Sequence, residues 1–162
     1  MPSARPLSFP VRPSPLRELL RSLLAVCLAL GLASCDQKLT SKRDPQEDAI
    51  LDTVRKQIQA LNQRDAETAL TYVHPNAPGI NQTRVLTKKM VQEFELLYMI
   101  QKLNLDSVTG DEAKVNYTEI IQRVSGGDYR SNRVTGVHTL RKDGDTWRLF
   151  TNKVLSTEYL DK

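Results

Sequence analysis

The chain has 162 residues, of which 40% are hydrophobic and 26% charged, and its formal net charge is +4. This length suits one domain, and seven glycines and eight prolines are too few for a collagen-like or wholly disordered chain. The basic excess alone suggests nucleic acid or anionic lipid as a partner. That suggestion depends on where along the chain the charges lie.

The first segment of the chain has the pattern of an export signal. Residues 1–21 hold four arginines, one glutamate and five of the eight prolines, and an apolar run without charge follows from residue 22. A basic segment followed by a short apolar one is typical of a signal peptide. The run is too short for a stable membrane anchor, because crossing the hydrocarbon core takes about 20 apolar residues.

A short motif ends the apolar run. Residues 32–34, Leu-Ala-Ser, stand directly before Cys35 and resemble the lipobox of bacterial lipoproteins. The resemblance implies that residues 1–34 are removed, that Cys35 carries lipid, and that the protein is held on a membrane of the bacterial cell envelope. Asp36 resembles the signal for retention on the periplasmic face of the inner membrane. The alternative is an ordinary secretion signal with a chance cysteine.

Removal of the signal changes the charge and the cysteine count. The 128 residues from Cys35 onward hold 19 basic and 18 acidic side chains, so their net charge is +1. Nucleic-acid binding loses its main support, and no nucleic-acid partner is expected. Because Cys27 leaves with the signal and Cys35 takes lipid, neither a disulfide nor a cysteine metal site is expected in the folded domain.

A helical pattern follows a polar tether at residues 35–43. Asp44 is expected to cap the first helix with Pro45 in its first turn, and an apolar stripe at helical spacing continues to about residue 63. Asp65 is expected to cap a second, shorter helix. That helix must end before Pro75, since the residue before a proline avoids the helical conformation.

A third helix is predicted after a loop over residues 74–83, where prolines and a glycine interrupt the helical pattern. Thr87 is expected to cap this helix. The side chains predicted to face inward from it are Met90, Val91, Phe94 and Leu97.

The pattern then becomes extended, and four strands are predicted as an antiparallel meander. They cover residues 99–107, 113–124, 132–142 and 146–156, with a glycine in every turn between them. Helices followed by an antiparallel meander predict an α+β fold, in which the helices cover one face of the sheet.

The last predicted turn sets the expected register of its hairpin. Residues 143–144, Asp-Gly, are a favoured pair for a two-residue hairpin loop. This loop would place His138 opposite Leu149 on one face of the sheet. It would place Thr135 opposite Asn152 on the other face.

This layout resembles the nuclear transport factor 2 superfamily, including its SnoaL-like branch, over roughly residues 45–158. The best-matching stretches are IQALNQRD (58–65), YVHPNA (72–77) and LRKDGDTWRL (140–149). In that superfamily a strongly curved sheet wraps the helices into a cone with a pocket. The resemblance implies that residues 44–162 form a cone-shaped domain of three N-terminal helices on about four antiparallel strands. Members include isomerases, cyclases, dehydratases and modules without catalytic activity, so the fold alone does not decide the function.

The resemblance also directs attention to acid–base groups. Enzymes of this superfamily typically use Asp, Glu or His as a general base deep in the pocket, beside a Tyr or an acid that stabilises an oxyanion. Candidate bases are therefore Glu119 and His138, and the candidate donor is Tyr117, with Tyr72 and Tyr98 as further tyrosines. The structural alternatives are a solvated strand acid for Glu119 and a histidine that only packs for His138.

Motifs for metal or cofactor chemistry are missing from the sequence. The two histidines lie far apart and give no zinc constellation, and the glycine pair at 126–127 joins two predicted strands instead of opening a helix. No metal and no cofactor is expected.

Six basic residues of the later strands and turns form either a solvated rim or a surface for anionic partners or lipid headgroups. They are Arg123, Arg130, Arg133, Arg141, Lys142 and Arg148.

Three function classes remain open. The leading hypothesis is a lipid-anchored, extracytoplasmic, non-catalytic domain that binds a small ligand or an envelope protein. The alternative is a SnoaL-like isomerase or hydrolyase that acts on a small hydrophobic substrate, which requires Glu119 or His138 to lie in the cavity beside a tyrosine. The third is an assembly module that forms a homodimer through the sheet.

Overall fold

A computed structural model describes residues 44–160. Its elements are α1 (Pro45–Asn62), α2 (Ala66–Thr71), α3 (Ile80–Glu93), β1 (Glu95–Thr109), β2 (Glu112–Ser125), β3 (Asn132–Asp143) and β4 (Thr146–Tyr159). The predicted signal peptide, Cys35, Asp36 and the tether lie outside the described residues. No helix within residues 44–160 is long and apolar enough to cross a membrane.

The four strands form one antiparallel sheet in the order β1-β2-β3-β4, and helices pack against one of its faces, here called the inner face. The predicted α+β class is therefore confirmed. The predicted strands all exist, but β1 begins at Glu95, four residues before the expected start.

Helix α1 begins as the sequence predicts and holds the core together. The Asp44 carboxylate accepts a hydrogen bond from the backbone N–H of Gln46 at 2.9 Å, and Pro45 occupies the first turn. The hydroxyl of Thr53 donates to the backbone carbonyl of Trp147 at 3.1 Å and joins α1 to β4. The buried apolar cluster between helix and sheet consists of Ile50, Leu51, Val54, Ala113, Val115, Leu140, Trp147 and Leu149.

The short second helix also begins where it was predicted. Asp65 precedes it, and its carboxylate accepts a hydrogen bond from the backbone N–H of Thr68 at 2.9 Å. The helix ends at Thr71, well before Pro75. Local capping chemistry therefore decides where α1 and α2 begin.

The predicted start of the third helix is wrong. Helix α3 begins at Ile80, not after Thr87. The loop predicted over residues 74–83 therefore ends at Gly79. Gly79 precedes the helix with φ 69°, a conformation that glycine adopts without steric penalty, and the helix starts there without a side-chain cap. Leu97, predicted to face inward from this helix, lies in β1 and is 39% exposed.

The predicted register of the last hairpin is also wrong. The turn residues are Gly144 and Asp145, because Asp143 pairs with Thr146. Two-residue hairpin turns need positive φ at their first central residue, and Gly144 supplies it at 61°. The glycine therefore takes the first turn position and not the second.

A β-bulge adds a further change in the same hairpin. The register shifts between Thr139 and Leu140, so His138 lies opposite Asn152 and not opposite Leu149. The extra residue on β4 brings Asn152 to the inner face beside His138, whereas the sequence predicted these two residues on opposite faces. This bulge builds the floor of the site described next.

Candidate functional site

A half-open cavity of about 550 Å³ lies between the helices and the β3–β4 hairpin. Its volume is within the range of small-molecule sites. None of the side chains that line it carries a formal charge when histidine is neutral. The polar ones are Gln57 of α1, Thr83 of α3, His138 of β3, and Thr151 and Asn152 of β4.

One wall of the cavity is the connection between α2 and α3, and backbone hydrogen bonds fix it to β4. The N–H of Leu149 donates to the carbonyl of Tyr72, and the N–H of His74 donates to the carbonyl of Leu149, both at 2.8 Å. Between these bonds Val73 forms a parallel bridge with Leu149. Side chains of the connection therefore have a fixed position beside the cavity.

His74 belongs to the connection that forms this wall. Its Nδ1 accepts a hydrogen bond from the backbone N–H of Asn76 at 3.0 Å, and its ring packs edge-on against Phe150 at 5.5 Å. His74 thus stabilises the cavity wall.

Two side chains of the cavity floor, His138 and Asn152, are connected through Tyr117, which lies outside the lining. His138 stacks on Tyr117, with ring centroids 4.1 Å apart and ring planes inclined by 16°. The Tyr117 hydroxyl donates to Oδ1 of Asn152 at 2.9 Å. The structure therefore brings together two of the predicted site residues, His138 and Tyr117, and adds Asn152.

Burial determines the charge state of His138. The residue is 8% exposed, and loss of water lowers its pKa to about 4, so the imidazole is neutral at neutral pH. Its Nδ1 is buried and makes no hydrogen bond with any described residue. A neutral imidazole has one donor and one acceptor, so this ring retains an unused hydrogen-bonding group.

Tyr117 is less acidic than an ordinary tyrosine. Burial is the main cause of its raised pKa, the hydrogen bond with Asn152 works in the opposite direction, and the charge of Glu119 raises the pKa further. The hydroxyl therefore stays protonated at neutral pH and can donate a hydrogen bond.

Glu119 lies apart from this group. It occupies the inner face two residues beyond Tyr117 on β2, outside the cavity lining, and its cross-strand partners are the apolar residues Ile100 and Val134. The side chain is half-buried, and loss of water raises its pKa to about 7. The predicted alternative of a fully solvated strand acid does not describe it.

The two further candidate tyrosines do not line the cavity. Tyr72 follows α2 and contributes its backbone carbonyl to the wall. Tyr98 lies on β1, and the side-chain amide of Asn62 forms hydrogen bonds with its backbone N–H and carbonyl. Burial raises the pKa of the Tyr98 hydroxyl to about 12. Among residues 44–160, no three His, Cys, Asp or Glu side chains are grouped so that they could hold a metal ion.

The basic residues of the later strands are largely paired with carboxylates. Such pairing favours a solvated rim over a surface for anionic partners. The ion pairs, by N–O distance, are Arg123–Asp128 at 3.9 Å, Arg133–Glu158 at 2.5 Å, Arg141–Glu112 at 2.8 Å, Lys142–Asp111 at 3.8 Å and Arg148–Asp143 at 2.8 Å. The guanidinium of Arg130 lies 4.2 Å from the ring centroid of Tyr159.

Comparison with known proteins gives the family of the chain. A family model described as the C-terminal domain of the anti-sigma-I factor RsgI9 matches residues 52–160. The chain belongs to this family. Anti-sigma-I factor RsgI9 of Acetivibrio thermocellus is 28% identical over 96 residues, which make up 59% of this chain and 13% of that protein. The matched segment is therefore only a small part of this much longer RsgI9 protein.

Solved structures show the fold of this RsgI9-type domain. A candidate dehydratase of the NTF2-like family from Streptomyces avermitilis has a TM-score of 0.55 at 19% identity, covering 66% of this chain and 93% of that one. A candidate scytalone dehydratase from Novosphingobium aromaticivorans has 0.58 at 14% identity, covering 72% and 89%. An NTF2-like protein of unknown function from Shewanella oneidensis has 0.53 at 16% identity, covering 66% and 96%. The predicted resemblance to the nuclear transport factor 2 fold is confirmed.

Proposed function

We propose that this domain binds a small uncharged ligand without catalysing a reaction, and that it is held on the periplasmic face of the bacterial inner membrane by lipid on Cys35. The observation that carries the binding role is the cavity of about 550 Å³ with the buried His138 on its floor. The unpaired Nδ1 of that imidazole supports it, because a buried polar group without a partner is unfavourable for the fold alone.

The lining indicates the chemistry of the ligand. Amide, hydroxyl and imidazole groups can exchange hydrogen bonds with a neutral polar group, while Leu149 and Phe150 offer apolar contacts. A charged ligand would find no opposite charge in this lining. We therefore expect an uncharged molecule with an apolar part and at least one group that hydrogen-bonds His138.

Three observations favour binding over catalysis. With a pKa of about 4, His138 is a weak general base at neutral pH, and Glu119 stands outside the lining. The curated relative is named as an anti-sigma-I factor, which is a regulatory and not a metabolic description. A domain that binds a ligand or an envelope protein fits such a relative better than an enzyme.

Ligand binding is tested by native mass spectrometry of the purified protein, followed by thermal shift against a panel of uncharged small molecules. We expect a bound mass or a stabilising compound for the wild type and its loss in His138→Phe, which keeps an aromatic ring but no hydrogen-bonding nitrogen. Lys114→Gln on the opposite sheet face is the matched control. Equal binding by His138→Phe and the wild type would contradict the proposed site.

The anchor is supported by the sequence motif before Cys35. Membrane fractionation of a Cys35→Ser variant, combined with labelling by a palmitate analogue, tests it. We expect the label and the membrane association to be lost. Cys27→Ser is the matched control, because Cys27 lies within the predicted signal and should leave both unchanged. A Cys35→Ser protein that stays on the membrane contradicts lipid anchoring.

A second candidate function is acid–base catalysis by a SnoaL-like isomerase or hydrolyase on a small hydrophobic substrate. The specific observation in its favour is that His138 lines the cavity while it is stacked on Tyr117. Its test is proton–deuterium exchange of small hydrophobic hydroxyketones, followed by NMR. Exchange that disappears in His138→Phe and Tyr117→Phe supports the enzyme, whereas binding without exchange supports the leading proposal.

A further inference from the structure

Helix α3 turns two large apolar side chains toward solvent. Val85 is 66% exposed and Leu86 is 59% exposed, although both lie in the middle of the helix. Together with Asn81 and Gln82 they border a shallow hollow of about 440 Å³. This outer face of α3, defined by Asn81, Gln82, Val85 and Leu86, takes no part in the core of the domain.

The charges around the outer face leave a small positive excess. Helix α3 contains Arg84, Lys88 and Lys89 but only one acid, Glu93. Lys88 pairs with Glu67 of α2 at 2.6 Å, and Lys89 lies 3.8 Å from Glu93, whereas Arg84 forms no ion pair with a described residue. An exposed aliphatic pair beside the charge of Arg84 complements a bilayer surface that carries anionic headgroups.

The length of chain before the domain makes such contact feasible. Eight residues separate Cys35 from Asp44, and the nine steps from Cys35 to Asp44 span at most about 30 Å at full extension. This is close to the length of α1, whose 18 residues extend about 27 Å. Lipid on Cys35 would therefore keep the domain within about its own diameter of the bilayer, at high effective concentration.

We propose that the outer face of α3 docks on the anionic bilayer that holds the lipid anchor, an inference that rests on the proposed lipidation of Cys35. Two aliphatic side chains are too few to bring a protein to a membrane, so the anchor recruits the domain and the outer face sets its orientation. Thr83 of the same helix lines the cavity, so this orientation places the cavity close to the headgroups.

The test uses the full-length lipidated protein in vesicles of phosphatidylethanolamine and phosphatidylglycerol whose acyl chains are brominated to quench tryptophan. The native Trp147 is buried and provides a constant background. Leu86→Trp places a second tryptophan on the outer face, and Lys114→Trp places one on the opposite face of the sheet. We expect bromine to quench the added emission of Leu86→Trp about twofold more than that of Lys114→Trp.

Charge and competing occupants are tested in the same samples. Arg84→Gln with Lys89→Gln, or replacement of phosphatidylglycerol by phosphatidylcholine, should reduce the quenching of Leu86→Trp. Equal quenching of Leu86→Trp and Lys114→Trp in vesicles that carry the protein overturns docking and leaves the anchor intact. A blue shift of Leu86→Trp that grows with protein concentration in detergent overturns docking in favour of a second copy. Protein that does not float with the vesicles overturns the anchor, and docking with it.

Discussion

Gly136 of β3 lies directly opposite Tyr117 of β2, and the tyrosine ring occupies the space where a side chain at Gly136 would stand. A Cβ at this position would lie 2.7 Å from the Tyr117 hydroxyl oxygen and 2.6 Å from the backbone carbonyl oxygen of Lys153. The absent side chain thus allows Tyr117 to stack on His138 and to reach Asn152. One glycine positions the floor of the cavity.

Gly136→Ala should therefore destabilise the protein and disturb the site together. The backbone oxygen of Lys153 cannot move out of the way as a flexible side chain could, so we expect the free energy of unfolding to fall by about 1–3 kcal/mol. Urea denaturation measures the change. Thr139→Ala, three residues along β3 on the other face, is the control and should change stability much less. An unchanged free energy for Gly136→Ala would contradict the close packing described here.

The bond between Thr53 and the Trp147 carbonyl gives a second prediction. Thr53→Val keeps the shape of the side chain but removes a buried donor that joins α1 to β4. We expect a loss of about 1–2 kcal/mol in the free energy of unfolding, because the carbonyl loses a partner away from water. Thr71→Val at the end of α2 is the control, since Thr71 is exposed and its hydroxyl bonds only within its own helix. Equal effects of the two substitutions would argue against the role of Thr53.

The parts of this fold that the sequence predicts well depend on local chemistry. Asp44 and Asp65 each cap a helix within a few residues of themselves, and the four strands follow from an extended pattern broken by glycines. The start of helix α3 was predicted wrongly because Thr87 has a side chain that can cap a helix. The helix begins instead after Gly79, and nothing in the sequence besides the glycine itself indicates that its backbone is left-handed.

The site depends on information that local patterns do not contain. His138 and Tyr117 were candidates by residue type, but their stacking depends on how β2 and β3 pair. Asn152 was missed because the β-bulge in the last hairpin moves it to the inner face. Gln57 and Thr83 belong to helices that meet only in the folded domain, and no signal in the sequence joins them to the cavity.

The stability of the protein should depend on the protonation of His138. Its pKa is about 4 in the folded state and near 6.5 in an unfolded chain. Between these values the unfolded state binds more protons, so the free energy of unfolding falls as the pH is lowered from about 6.5 to 4. The loss attributable to this residue is at most about 3 kcal/mol.

His138→Phe separates this contribution from that of the other titrating groups. Denaturation curves at pH 7.5, 5.5 and 4.5 should show that the free energy of unfolding falls less with decreasing pH in the variant than in the wild type. Thr139→Val does not alter a titrating group and should follow the wild type. A decline of the same size in His138→Phe would mean that His138 titrates normally in the folded protein.

Glu119 should produce the opposite dependence on pH. Burial raises its pKa to about 7 in the folded state, above the ordinary value of 4.5, so the folded state binds the extra proton. Stability from this residue is present at low pH and is lost as the pH rises from about 4.5 to 7. Because solvent still reaches the half-buried carboxylate, we expect a loss of about 1–2 kcal/mol.

Glu119→Gln tests this contribution and bears on the choice between a binding domain and an enzyme. The variant should be more stable than the wild type at pH 8 and nearly equal to it at pH 5. Glu112→Gln on the same strand is the control, because Glu112 accepts hydrogen bonds from Arg141 at 3.0 and 2.8 Å and its removal should not stabilise the protein. A lower stability of Glu119→Gln at pH 8 would contradict the raised pKa. If the variant is more stable and also loses ligand binding or proton exchange, the carboxyl group serves the site at the expense of the fold, as groups of catalytic and binding sites commonly do.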